Sequence, residues 1–184
     1  MDSIKLMMEE HQNILRMLTL VRKACYGLYK GEGIIYQDFY QMIDFIRTYA
    51  DAHHHGKEEK FLFNEMVEHL GPAGDKLINH GMLVEHDYGR LLIRDLEDAL
   101  ESLKAGKEES IIDVIANAVG YSNHLTRHIE KEDGVVYTFA KRELSEDILE
   151  KVNQKTKEFE ASPEGEENRI KYLEILVDLE EKYL

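Results

Sequence analysis

The stretch HHHGKEEKFLF, residues 53–63, decides how this chain is read. As a helix it sets His54 and Glu58 one turn apart on one face, where an imidazole and a carboxylate can reach the same inward-pointing ion. A second stretch, HLTRHIEKEDGVVY (residues 124–137), repeats the spacing with His128 and Glu132. One such pair would mean little. Two of them, with lone histidines at His11 and His86 in similarly apolar helical settings, give nitrogen and oxygen donors from four helices. That is the set a dinuclear metal site inside a helix bundle requires.

Register separates the neighbouring histidines. Helical steps from His54 meet Ala50, Ile46, Ile43, Phe61 and Leu62, whereas the same steps back from His55 meet Asp51, Thr48 and Asp44. An α-helical period therefore predicts His54 on the buried stripe and His55 near its polar edge. His11 lies among Ile4, Met7, Met8, Ile14, Leu15 and Leu18, and His86 among Met82, Leu83, Gly89, Ile93 and Leu96. His128 shares its stripe with Tyr121, Leu125, Val135, Val136 and Phe139. A lone core histidine is more often simply hydrogen-bonded than a ligand. Glu58 and Glu132 shift that balance, because an unpaired carboxylate in an apolar core costs roughly several kcal/mol and a bound cation removes the cost.

The chain around these stretches reads as all-α. Its 184 residues hold only two prolines, Pro72 and Pro163, and few alternating β-branched runs; the abundant Glu, Lys, Leu and Ile favour helix. Helices are predicted from about Ser3 to Tyr29, Gln37 to Leu70, Asp75 to Gly106 and Glu108 to Arg142. Short connections between them predict an antiparallel four-helix up-and-down bundle. Residues 1–142 would form this domain and residues 143–184 a C-terminal helical extension. Two helices are predicted in the extension, broken at Ala161–Gly165, with a thin apolar stripe of Ile170, Leu173, Leu176 and Val177. Such a stripe suits packing on the outside of the bundle, or a homo-oligomer formed through these helices.

Charge and cysteine usage narrow the partners. A net charge of −14 argues against nucleic acid and against an anionic membrane surface. No apolar run is long enough to span a bilayer, and MDSIKLMMEEH at the start reads as acidic helix instead of a basic signal region. Cys25 is the only cysteine, which suits a reducing, cytoplasmic setting and rules out a cysteine-based metal cage.

The segments EEHQNIL (residues 9–15), HHHGKEEKFLF (53–63), VEHDYGRLL (84–92) and HLTRHIEKEDGVVY (124–137) resemble, in the same order, the four ligand-bearing helices of the hemerythrin-like, HHE cation-binding family. The resemblance covers roughly residues 1–142. It implies a non-haem centre of two iron ions, bridged by carboxylates with or without an oxo group. His11 and His54 would hold one metal, His86 and His128 the other, and Glu58 and Glu132 would bridge. Oxygen-carrying members have a second histidine one turn after the first on the third helix; Arg90 stands there in this chain. The metal on His86 and His128 is therefore expected to have one fewer protein nitrogen, leaving a position for water, another side chain or a small ligand, unless His124, one turn before His128, fills it. Arg90 would turn outward to pair with Glu97 or Asp87. Tyr88, Tyr121 and Tyr137, near the ligands in sequence, read either as hydrogen-bond donors to a bound ligand or as core residues with a polar tip. His69 and His80 read as surface.

Imidazole and carboxylate donors suit iron, and also manganese or zinc. The expected function is binding or reduction of a small diatomic ligand (oxygen, peroxide or nitric oxide) for sensing, scavenging or detoxification. The other reading is non-enzymatic: an iron-responsive or iron-storage module with a partner-binding C-terminal extension. The sequence leaves both an enzyme and a binding protein open.

Overall fold

The computed structural model describes residues 1–184, and they form six helices with no strand. Helix α1 is Ser3–Tyr29, begun by the Asp2 carboxylate accepting the Lys5 N–H, an N-cap that satisfies one orphaned donor. Helix α2 (residues 36–69) starts as Tyr36–Phe45, widens through π-helical Ile46–His55 and Glu58–Phe63, and ends as Asn64–His69. Helix α3 (residues 71–104) contains one π segment, Ile78–Met82, and α4 (residues 111–143) another, Glu132–Val136. The extension forms α5, Glu146–Glu160, and α6, Pro163–Tyr183, capped by Ser145 and Ser162.

Gly31, Gly71 and Gly106, which separate the first four helices, all have positive φ (84°, 57° and 94°), a conformation glycine adopts without steric cost. Helix α3 begins at Gly71, four residues before the expected Asp75. Pro72 falls in its first turn, where the missing N–H would have had no helical partner anyway.

The apolar side chains form two cores. One holds Ile4, Met7, Leu62, Phe63, Met66, Ile78, Met82, Val136 and Tyr137; the larger one gathers Ile14, Leu18, Phe39, Ile46, Ile93, Leu96, Val114 and Leu125 among others. His11, His54, Glu58, His86, His128 and Glu132, all buried, fall where one set gives way to the other in chain order on each of the first four helices, with Ile129 of the larger set following His128. Helix α3 packs mainly on α4, and α1 on α4.

Helix α6 lies against α1 and α2 and adds Tyr172, Leu176 and Leu179 to the larger core. The expected stripe is thus rotated: Leu176 is in, but Ile170 and Val177 are exposed. Polar ties that read as ordinary surface in the sequence hold this register, Arg16 to Glu180 at 2.7 Å and both Lys182 and Tyr183 to Asp38.

Gly74 marks where the end of α2 meets the start of α3. A Cβ there would come within 2.3 Å of the Met66 carbonyl oxygen and 2.9 Å of Leu70 Cβ. Gly74→Ala is expected to lower stability by about 1–3 kcal/mol, the usual range for overpacking a close contact, read as a shift of the chemical denaturation midpoint.

Candidate metal centre

The π segments decide which side chains face inward. In Ile46–His55 the Gly56 N–H donates to the Asp51 carbonyl five residues back. The same five-residue bond runs from Leu83 to Ile78 and from Tyr137 to Glu132. A π turn holds an extra residue, so side chains advance less around the axis per position. His53, His54 and His55 are consequently all buried, at 1%, 0% and 5% exposure. The expectation that His55 lies at a polar edge is corrected: that edge exists only for an α-helical period.

Two clusters of donors result. His11, His54, Glu58 and Glu132 place ligand atoms within 4.8 Å of one another, and so do His55, His86 and His128. The clusters touch: Glu132 Oε1 lies 3.0 Å from His128 Nε2 and 3.6 Å from His86 Nε2, while its Oε2 lies 3.3 Å from His11 Nε2. Glu132 therefore spans both. Glu58 Oε2 sits 3.7 Å from both His54 Nε2 and His86 Nε2, and its Oε1 accepts the Tyr137 hydroxyl. The two carboxylates are not equivalent, since Glu58 presents one oxygen inward and Glu132 presents two.

Every one of these five imidazoles has its Nδ1 on a carboxylate. His11 donates to Asp133 at 2.7 Å, His54 to Glu10 at 2.8 Å, His55 to Asp51 at 3.2 Å, His86 to Glu59 at 2.7 Å and His128 to Glu85 at 2.9 Å. A proton held at Nδ1 leaves the Nε2 lone pair for the interior, the arrangement by which acids orient metal-ligating histidines. His11 Nε2, His54 Nε2, Glu58 Oε2 and both oxygens of Glu132 are buried with no hydrogen-bond partner. Orphaned buried groups of this kind are rare, and here they converge. The residues fit a pair of cations.

A family model described as the hemerythrin HHE cation-binding domain matches residues 2–140. The chain belongs to that family. No curated protein and no solved structure matches the chain. Set against what was expected of a hemerythrin-like chain, Arg90 and His124 have other work. Arg90 does turn outward, but binds Asp51 and Glu59 at 2.7 Å as well as Asp87 at 2.9 Å; Glu97 belongs to Arg47. Through Asp51 and Glu59 it steadies the acids behind His55 and His86. His124 stays out of the cluster, donating to the Glu85 carbonyl at 2.8 Å. The imidazole that lies with His86 and His128 in one donor cluster is His55, from α2. Tyr121 and Tyr137 are buried and Tyr88 is half exposed. His80 is exposed, and His69 lies beside Glu65 at the surface.

The sequence reading missed His55 and all five anchoring acids. Four of the acids carry a legible signal: Glu10, Glu59, Glu85 and Asp133 each adjoin a residue expected to ligate.

Charge in the metal-free hemerythrin-like site divides the histidines. Burial drives His54 down to about 4, helped by neighbouring His11, and drives His55 well below its ordinary value with His86 adding repulsion. Burial also opposes charge on His11, His86 and His128. The hydrogen bond to Asp133 and the nearby Glu132 carboxylate overcome it at His11, the nearby Glu132 carboxylate and the hydrogen bond to Glu59 at His86, and attraction to Glu132 at His128. These hold the three near 9, 9 and 10. Burial and the adjacent Glu132 push Glu58 up to about 8.

Protons on His11, His86 and His128 must leave when a cation enters. Metal affinity is therefore expected to rise with pH from 6 toward about 9, checked by competition against a chelator at each pH. Both His54→Ala and His55→Ala are expected to reduce bound metal below that of the unaltered chain, measured as metal per chain.

Proposed function

We propose that this is a non-haem di-iron hemerythrin-like protein that binds or reduces a small diatomic ligand such as oxygen, peroxide or nitric oxide. In this reading residues 1–142 form an antiparallel up-and-down four-helix domain and residues 143–184 an extension. The order of the two cores supports that arrangement, since it alternates from helix to helix: α1 and α3 run from the smaller core to the larger, α2 and α4 the reverse. The observation that carries the metal assignment is the five imidazoles with their Nδ1 atoms on acids and their other edges turned inward. Donors of this type suit iron, with manganese or zinc also accommodated. A bound iron pair would supply Lewis acidity and electrons to a ligand shared between the metals.

The chain's own residues set where that ligand goes. His55, His86 and His128 would hold one metal and His11 and His54 the other, with Glu58 and Glu132 shared. Fewer histidines would then hold the metal at His11 and His54, which favours that side for the ligand. Burial keeps bulk water away from this position, and the Tyr137 ring stacks on His11 at 5.6 Å. On the opposite side a cavity of about 90 Å³, walled by Gly89, Ile93, Tyr121 and Leu125 together with the charged Asp51, Glu85 and Arg90, reaches His55 and His86 and not this position. No helix is long and apolar enough to cross a membrane.

The test is metal analysis of protein purified without added metal, followed by anaerobic and aerobic absorption spectra with and without azide. About two irons per chain and a charge-transfer band on adding azide or oxygen are expected. Zinc alone, or no metal, would overturn the reading. Metal-dependent folding without ligand binding would move it to an iron-responsive or storage module.

A further inference from the structure

Behind His54 lies a buried charge cluster whose last member comes from the extension. The Lys57 ammonium has no exposed surface and sits between Glu10 and Glu160, with Glu160 Oε1 at 2.5 Å. His53, equally buried, has its Nε2 2.9 Å from Glu160 Oε1 and 3.4 Å from Glu10 Oε1, close contacts without the alignment of a hydrogen bond. Glu10 thus faces Lys57 and His53 with one oxygen and holds His54 Nδ1 with the other, at 2.8 Å. Phe159 closes the cluster, its ring 5.1 Å from that of His53. These residues could be mistaken for a third cation site, but the Lys57 ammonium already fills its centre.

We propose that Glu160 is a positioning residue for the metal centre, and that docking of α5 is thermodynamically linked to metal binding at His54. A fully buried ammonium needs more than one carboxylate's worth of compensation when a histidine competes for the same oxygen. Glu160 supplies the second. Without it, Lys57 and His53 both rely on Glu10, which is drawn off His54, and the imidazole loses the acid that fixes its tautomer and orientation. The Nδ1 anchors of the five imidazoles all lie within residues 2–140, the span that the family model matches. Glu160 lies outside it, so the extension reaches the metal centre through the acid behind His54. Linkage is reciprocal: what α5 does for the metal, the metal does for α5.

This inference rests on the two-metal reading, and one experiment separates their failures. Full-length chain is titrated with Co(II) or Zn(II) against a competing chelator, alongside Glu160→Ala and a control, Lys151→Ala. Lys151 ties α5 to Glu65 at 2.7 Å and has no part in the cluster behind His54. Hydrogen exchange of residues 146–160 is then compared with and without metal. Glu160→Ala is expected to weaken one of the two metals by up to about tenfold, the low end of what losing a direct outer partner of a ligand costs, and Lys151→Ala, which only loosens α5, to weaken it far less. Metal should slow exchange in α5 of the unaltered chain and much less so in Glu160→Ala. If the unaltered chain takes up fewer than two metals, the two-metal reading fails. If it takes up two and Glu160→Ala matches it, or Lys151→Ala loses as much, or α5 exchange ignores metal, the positioning role is wrong.

Discussion

A closed ring of imidazole–carboxylate hydrogen bonds organises the interior. Glu10 of α1 holds His54 of α2, Glu59 of α2 holds His86 of α3, Glu85 of α3 holds His128 of α4, and Asp133 of α4 holds His11 of α1. Each acid sits beside an inward-facing ligand candidate in the chain, so the rotation of about one residue around the helix axis aims it at the next helix. One short segment per helix thereby presents a donor to the centre and an anchor to its neighbour. The ring fixes the relative height of four helices, which two apolar cores alone would specify less sharply.

The cost of this design is a belt of buried ionisable groups between the cores. Each would be destabilising alone. Paired around the ring, the outer edges are satisfied, whereas the inner edges of His11, His54, Glu58 and Glu132 lack partners. Unsatisfied atoms pointing at one place are what a cation site looks like before the cation arrives, and a metal would repay the desolvation that the fold has already met. Burial and Glu132 also divide the charge: burial favours neutral His54 and His55, against the pull of their anchors, whereas Glu132 helps keep His11, His86 and His128 protonated in the metal-free protein.

Much of this could be read in the sequence, for definite reasons. The four long helices and their glycine stops follow from punctuation, and a 3.6-residue period turns the six chosen residues inward even though His54, Glu58 and Glu132 stand in π segments. His55 was hidden because the helix is not regular there. A π turn has no composition signature as clear as a proline or a glycine stop, so a period-based reading assigns the neighbouring histidine to the wrong face. The anchoring acids were hidden differently: they are charged residues on helices full of charge, and although Glu59 adjoins Glu58 in the chain, only the packing of adjacent helices pairs it with His86. In the extension, Ile170 and Val177 satisfied a stripe on paper, but Tyr172, Leu176 and Leu179 won burial once the ties to Asp38 and Asp44 fixed the rotation of α6.

The central claim is that five histidines, each held at Nδ1 by an acid, turn their Nε2 atoms to two metals. Proton NMR of the Co(II)-loaded protein tests it directly, because a Nδ1–H on a coordinated imidazole is strongly shifted by the metal and disappears in deuterated solvent. Five such exchangeable, shifted resonances are expected, one of them lost in His55→Ala. Four resonances in the unaltered chain, with that variant unchanged, would contradict the account.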